Sequence, residues 1–393
     1  METGAQTIVF DQTLESLPKH DRLRSYLLGE LSEGRLKPGD PLPTEHQLAS
    51  ASLMSRSTVR RALDALEKNG LILRVPGHGT FVHEAAMQRL QAGDAHAEKG
   101  GDATDRSTFV LIVPDTRGGQ YPSLQRGFHK ACSGSKTEVV VSDTSNDPLQ
   151  QSQVILEMMD RKVSGVAMVP STHPVAAHQV RPLQALGIPV VFCHRRVEGV
   201  RAPLIGFPFL EMGRLAGQEM ARFGHRRAAM FAIHSSPSVL AMQQGLRDAL
   251  EKEGGEFPDE FLKVDDSHHY DANHEKFIAA SLEEMLQHPQ RPTVIFCPFD
   301  AIAEFVYLHL HKLGLSVPGD MSIISFGGSW REGAIARRLT AVTVDEEALG
   351  HKAVNLLSDI ISGKIAIDSE LEIMMPLSLN RGETLAQPSA NPS

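Results

Sequence analysis

The sequence predicts a multidomain chain, a small α+β head followed by a doubly wound α/β body, on three observations. The first 80 or so residues combine helical apolar periods with a single tight hairpin signal. Residues 84–107 are small and polar with no sustained apolar period, as in a linker. Beyond them, short continuous apolar runs alternate with helical patterns. A length of 393 residues leaves room for two or three domains. With 41% hydrophobic and 22% charged residues the composition is that of an ordinary globular chain. No window of about 18 unbroken apolar residues occurs, and the first residues lack a basic and then apolar leader, so no membrane span or secretory signal is expected and the expected location is the cytoplasm. Cys132, Cys193 and Cys297 stand far apart without a CxxC pair, which argues against a zinc knot or a disulfide framework. A net charge of -9 argues, taken globally, against nucleic acid as a partner.

The head reverses that last inference. Leu23, Tyr26, Leu27 and Leu31 recur at helical spacing, and Pro38, Pro41 and Pro43 stop the helix. Thr44 and Gln47 have the form of a capping box opening a second helix. Val59, Ala62, Leu63 and Leu66 give a third helix its apolar face, and Asn69 with Gly70 supplies a left-handed stop. Its other face carries Arg56 and Arg60 four apart, Ser57 and Arg61 four apart, and Thr58 between them. Guanidinium and hydroxyl groups so placed suit phosphates and guanine edges. Two apolar strands follow, 71–75 and 80–82, joined through Pro76, Gly77, His78 and Gly79. Three helices and a hairpin form a winged helix-turn-helix, whose third helix enters the major groove. Over 54–82, Arg56, Arg60, Arg61, Lys68 and Arg74 face only Asp64 and Glu67, so a basic surface lies hidden inside an acidic total.

The segments ELSEGRLKPGD (30–40), LPTE (42–45), SRSTVRRAL (55–63) and GLILRVPGHGTFV (70–82) resemble the GntR family of DNA-binding domains over 18–82. The resemblance implies DNA contacts from Ser55, Arg56, Thr58 and Arg60 on the recognition helix and from Gly77 and His78 on the wing. His46 departs from the pattern, since family members often carry Arg after the LPxE glutamate.

In the body, runs at 109–113, 139–141, 165–169, 188–192, 228–233, 293–297 and 321–326 read as buried parallel strands. Helical stretches fall at 124–132, 150–161, 212–223, 243–253, 275–287 and 301–312, giving a doubly wound architecture. Such sheets bind ligands beyond the carboxyl ends of their strands. The residues there are Asp115, Arg117 and Tyr121; Ser171 and Thr172; His194, Arg195 and Arg196; His234 and Ser235; Phe299 and Asp300; and Gly327 to Trp330. No GxGxxG, Walker A, GxSxG or HExxH sequence occurs at these turns, so neither a nucleotide cofactor nor an enzyme is expected. His268, His269, His274, His309 and His311 lack the spacing of a metal site, and none is expected.

The segments VLIVPD (110–115), IPVVF (188–192), FGHRRAA (223–229), FDAIA (299–303), LGLSVPGDMSIISFG (313–327), LTAVTVD (339–345) and MPLSLNRGET (375–384) resemble the LacI/GalR effector domain, of periplasmic-binding-protein fold. The resemblance implies two lobes joined by three crossings, 107–203 with 344–365 and 204–340 with 369–384, and dimerisation through this domain. His194, Leu240 to Met242, Phe299, Gly327 and Gly328 replace the acids, arginine and amide with which the family holds sugar hydroxyls. The clustering of His194, Arg195 and Arg196 suggests an anionic effector instead. Asp300 is open to two readings, a ligand or a helix N-cap.

The expected organisation is therefore a winged helix-turn-helix over 1–83, a linker over 84–107, a two-lobed α/β periplasmic-binding-protein-like domain over 108–385 and a disordered tail over 386–393. The expected function is a ligand-responsive transcriptional regulator, a repressor of carbohydrate or related catabolic genes, binding a palindromic double-stranded operator as a homodimer. The expected DNA-binding residues are Ser55, Arg56, Ser57, Thr58, Arg60, Arg61, Gly77 and His78. The expected effector residues are Arg117, Tyr121, Ser171, His194, Arg195, Asp300 and Trp330, for a sugar or sugar derivative. Two alternatives stand beside it: a regulator with a degenerate pocket, and a cytoplasmic small-molecule binding protein.

Overall fold

The computed structural model describes residues 8, 10, 17–83, 107–116, 121–172, 175, 177–233, 235–265, 273–328 and 333–389. The chain divides into two compact units. The first comprises Met1–Thr116, Gln125–Gly206 and Leu349–Ile373; the second comprises Arg117–Leu124, Phe207–Ala348 and Met374–Ser393. The linker expected over 84–107 lies outside the described residues except for Ser107, which opens a strand.

The head occupies the start of the first unit. Helix α1 spans Lys19–Ser32, α2 Glu45–Ser52 and α3 Arg56–Lys68. The expected capping box on α2 is complete: the Gln47 amide donates to the Thr44 hydroxyl, and the Thr44 amide donates at 2.8 Å to the Gln47 side chain. Helix α3 opens on Ser55, whose Oγ accepts from the Thr58 amide at 3.2 Å. Its inner face, Val59, Ala62, Leu63 and Leu66, is at most 1% exposed. Burial contributes roughly 1.5–3 kcal/mol for each such Val or Leu, which holds α3 in place while its polar face stays outside. Gly70 closes the helix at φ +67°, as its glycine predicts. Strands β1 (Ile72–Val75) and β2 (Gly79–Val82) pair antiparallel, Ile72 opposite Val82.

The first unit continues with a six-stranded sheet. Its strands are β3 (Ser107–Val113), β4 (Thr137–Asp143), β5 (Gly165–Met168), β6 (Val190–His194), β7 (Leu204–Gly206) and β13 (Glu372–Met374), in the order β4-β3-β5-β6-β7-β13. The first five are parallel. Helices α4 (Tyr121–Cys132), α5 (Pro148–Arg161) and α6 (Ala177–Ala185) follow β3, β4 and β5. Helix α6 carries Pro182 in its interior and has no strong apolar period, so it escapes the sequence patterns. It forms where it packs on α1.

The second unit repeats the plan. Strands β8 (Ala228–Ala232), β9 (Leu262–Val264), β10 (Val294–Cys297), β11 (Ser322–Gly328), β12 (Thr340–Val344) and β14 (Leu377–Asn380) lie in the order β9-β8-β10-β11-β12-β14, with β14 antiparallel to β12 and the rest parallel. Its helices α7 (Phe209–Arg222) and α8 (Pro237–Lys252) cross closely. Helices α9 (Asn273–Leu286) and α10 (Asp300–Lys312) complete the unit's layers, and α11 (Glu346–Ile361) returns the chain to the first unit.

Two expectations on organisation are corrected. The segment from 369 was assigned to the second lobe, but β13 joins the first sheet, with the Leu204 amide donating to the Leu371 carbonyl at 2.8 Å. The tail was expected to fray from Ala386, but the Ala386 amide donates to Ser322 Oγ at 3.2 Å and the Ser389 hydroxyl reaches the Gly319 carbonyl. A hydroxyl at the start of β11 and a carbonyl in the turn before it give even a Pro- and Ser-rich tail partners. Residues 390–393 lie outside the described residues.

Candidate functional site

The head places its polar groups on one exposed surface. Arg56, Ser57, Arg60 and Arg61 are all exposed on the outer side of α3, and Ser55 and Thr58 sit at its N-terminus. That end presents the positive end of the helix dipole, which favours phosphate. Ser55 Oγ lies 2.9 Å from Ser57 Oγ and 2.8 Å from Thr58 Oγ1, so three hydroxyls cluster there. Ser55 thus caps the helix while remaining exposed.

The two leading arginines are held from α2. Arg60 donates through Nε and Nη2 to the two oxygens of Glu45, at 3.2 and 2.9 Å. This hydrogen-bonded pairing holds the Glu45 carboxyl below the usual carboxylate range and raises the guanidinium. Arg56 Nη2 lies 3.2 Å from His46 Nδ1. His46, the departure from the family pattern, therefore orients an arginine in place of supplying one. Arg74, on β1, pairs with Asp64 and with Glu67, the latter at 3.1 Å. Sequence reasoning counted these charges but missed that Glu45, fifteen residues away, clamps Arg60. The LPTE segment contained the signal, since it places a carboxylate beside the turn that leads into α3.

At the wing, Gly77 adopts φ +78° with nothing near a would-be Cβ, so backbone conformation alone selects glycine. His78 is exposed at the tip with Nδ1 3.2 Å from the Pro76 carbonyl.

Each α/β sheet has a strand order that reverses direction beside its first strand, between β3 and β5 in one unit and between β8 and β10 in the other. Ligands bind outside the carboxyl ends of strands at such switch points. In the first unit Ser171 follows β5 there and is buried. Its amide donates to Gln151 Oε1 at 2.9 Å and its hydroxyl to the Asn146 carbonyl at 2.7 Å. The Asn146 side chain donates to Thr172 Oγ1 at 2.6 Å and accepts from the Thr172 amide at 2.9 Å. Asn146 holds this position at φ +55°, a left-handed conformation that asparagine tolerates. It follows β4, whose short apolar run (139–141) ends in polar residues that give no ligand signal in the sequence.

His194 ends β6 at φ +64° and is 3% exposed. Burial first, and the neighbouring Arg195 charge second, lower its pKa to about 3. Arg195 donates through Nε to the Pro170 carbonyl at 2.8 Å, which brings it beside Ser171. Arg196 is ion-paired with Glu372. The expected cluster of three cations is thereby corrected: His194 is neutral at ordinary pH and Arg196 is ion-paired with Glu372, so the three side chains do not form one positively charged cluster.

In the second unit Asp300 follows β10 at the switch point. It is the first residue of α10, and the cap position belongs to Phe299, so the N-cap reading is corrected. Ser325 donates to Asp300 Oδ1 at 2.7 Å, and a Cβ at Gly327 would lie 2.0 Å from Oδ2. Gly327 thus makes room for the carboxylate. Tyr121 is half-buried at the start of α4. Arg117, Trp330 and His234 lie outside the described residues, as do His268 and His269. His274 Nδ1 lies 2.6 Å from Asp265, and His309 Nε2 lies 3.0 Å from Glu283, which gives both rings carboxylate neighbours. Among the described residues no helix is long and apolar enough to cross a membrane.

Comparison with known proteins agrees with this division. Residues 19–82 match the family described as bacterial regulatory proteins, gntR family, and residues 218–385 match the periplasmic binding protein-like domain. An arabinose metabolism transcriptional repressor of Geobacillus stearothermophilus is 27% identical over 356 residues, covering 88% of this chain and 92% of that protein. The ribose operon repressor of Escherichia coli K12 is 23% identical, covering 77% and 92%. Among solved structures, a LacI family transcriptional regulator from Enterococcus faecium with bound ribose superposes with a TM-score of 0.60 at 21% identity, covering 72% of this chain and all of that one. A LacI family regulator from Mycobacterium smegmatis gives 0.61, also at 21% identity and with coverage of 72% and 100%.

Proposed function

We propose that this chain, in which a gntR-family DNA-binding domain is joined to a LacI-type, periplasmic-binding-protein-like effector domain, represses sugar-utilisation genes and leaves its operator when a sugar binds. It is a DNA-binding transcriptional regulator. The observation that carries the reading is the outer face of α3. Arg56, Ser57, Arg60 and Arg61 stand exposed above a fully buried inner face, with the wing beside them. Such a helix positions itself by phosphate contacts and reads base edges through its arginines. Two such heads in a dimer would match the halves of a palindrome.

A neutral sugar fits the strand ends better than an anion. Asn146, Ser171, Thr172 and an uncharged His194 supply donors and acceptors without net charge, and Arg195 is the cation that stands beside them. The relatives whose names specify arabinose and ribose operons support the same class. The test is a thermal-shift screen of pentoses, hexoses, sugar phosphates and uronates on the full chain. Ligand binding raises the melting temperature by mass action. A pentose or hexose should raise it at millimolar concentration and weaken operator binding. A rise with sugar phosphates or uronates alone would reject the neutral class.

One observation favours a second reading, a regulator whose pocket no longer takes a ligand. Asn146 is spent on Ser171 and Thr172, and Ser325 on Asp300. If no sugar class shifts the melting temperature, this reading replaces the first.

A further inference from the structure

The first unit contains both the head and the first α/β sheet, and one carboxylate joins them. Asp160, in the last turn of α5, accepts from both terminal nitrogens of Arg24, at 3.0 and 2.7 Å. It also accepts from Asn69 Nδ2 at 3.2 Å. Arg24 lies on α1, and Asn69 caps the C-terminus of the recognition helix α3. A single side chain of the sensor lobe therefore grips the first helix and the recognition helix together.

The seat around it is apolar and continuous. Leu23, Leu27, Leu28 and Leu31 of α1 belong to the same buried cluster as Ile155, Met158 and Met159 of α5 and Val180 and Leu183 of α6. The grip is not saturated, however. Among the described residues Arg24 Nε and Asn69 Oδ1, both buried, find no hydrogen-bond partner. Leaving such groups without a partner costs free energy, which water would restore on opening.

The other end of α5 lies at the candidate effector site. Asp147 caps the helix by accepting from the Leu149 amide at 2.8 Å, directly after Asn146. One turn in, the fully buried Gln151 accepts from the Ser171 amide. Fourteen residues of helix span about 20 Å. A helix is stiff along its axis, so a shift of Ser171 or Asn146 on ligand binding is delivered to Asp160.

We propose that α5 is the connecting rod between effector and operator: its N-terminus senses the ligand site through Asn146 and Gln151, and Asp160 at its C-terminus seats the DNA-reading head. The outer face of α3 stays exposed in the seated state, so the seat sets the head's orientation and does not cover its reading surface. Asp160 and Gln151 are positioning residues in this scheme, acting through Arg24 and Asn69 at one end and through Ser171 at the other. The inference rests on the regulator reading above.

The test is hydrogen–deuterium exchange on the full chain, without DNA or sugar, in parallel with operator binding. Asp160→Asn should speed exchange in 19–32 and around Asn69 roughly tenfold. Strands 109–113 and 165–168 should keep their protection, which shows that the lobe is folded. Asn69→Ala, which removes one bond of the three, should give a smaller change at the same peptides. Gln151→Met and Ser171→Ala, at the far end of the rod, should also alter exchange in the head. Unchanged head exchange in both Asp160→Asn and Asn69→Ala would overturn the seat. A response to those two with none to either far-end variant would overturn the rod. Undiminished operator binding by Arg60→Ala would sink the regulator reading instead, and would leave the exchange result standing.

Discussion

The Glu45 carboxylate receives both Nε and Nη2 of Arg60, at 3.2 and 2.9 Å, across the turn that separates the second helix from the recognition helix. The pair is more than a third exposed on the arginine side, so it adds little to stability. Its effect is directional. It fixes the fork of Arg60 on the exposed face of α3; if that face reads DNA as proposed, the pair withholds one positive charge from non-specific attraction.

Arg60→Ala should weaken operator binding by about 1–3 kcal/mol without lowering the melting temperature, as titration of labelled operator would read. Glu45→Gln should act in the opposite sense on random DNA. Its affinity there rises at low salt and the salt dependence steepens, by a slope of about one, because an extra phosphate contact becomes available. If Glu45→Gln left random-sequence affinity and its salt slope unchanged, the clamp would have no electrostatic role.

Ser55→Ala removes the acceptor for the Thr58 amide. The expected loss is about 1 kcal/mol in stability of the head, together with weaker operator binding. Ser55→Asp should retain the cap and lose DNA affinity through phosphate repulsion. Undiminished DNA affinity in Ser55→Asp would separate the cap from the reading face.

Acidification should destabilise both units through buried histidines. Burial lowers His194 to about 3, with Arg195 adding to the effect, and burial lowers His225 to about 4 against a smaller opposing contribution from the Ala386 backbone. Both folded-state values lie below the ordinary 6.5, so unfolding takes up protons. Their contribution is complete above about 6.5 and declines as pH falls from there towards the folded values. Thermal unfolding followed from pH 7.5 to 4.5 should fall, with a shallower dependence in His225→Gln. By NMR the His194 ring should stay neutral throughout that range.

The close crossing of α7 and α8 rests on glycines. A Cβ on Gly245 would lie 1.9 Å from the Leu210 carbonyl oxygen, and one on Gly213 would lie 1.9 Å from that of Met242. Backbone cannot yield as a side chain does, so Gly245→Ala should cost at least about 1–3 kcal/mol in chemical denaturation. A neutral result would mean that the helices separate freely.

Much of the head was legible because its signals are local. Capping pairs, a 3.6-residue period and a glycine at positive φ each act over a few residues, so α2, α3 and the wing follow from neighbours in the chain. In the body, β3, β5, β6, β8, β10 and β11 announced themselves as continuous apolar runs, since strands buried on both faces need them. The short strands β7, β9 and β13 carry no such run, and α6 breaks its own pattern with Pro182. Their secondary structure comes from the neighbours they pair with or pack against.

By itself, the sequence determined the two-part plan, the chemistry on α3 and the strand ends at which a ligand would meet the sheets. Each of these is set by residue type and short-range spacing. The tertiary structure alone decided how those groups are committed: Glu45 to Arg60, Glu372 to Arg196, Asn146 to Ser171 and Thr172, and Asp160 to Arg24 and Asn69. The physical reason is that a charge or an amide is read from the sequence as available. Its hydrogen-bond partner, 176 residues away for Arg196, exists only once the chain has packed.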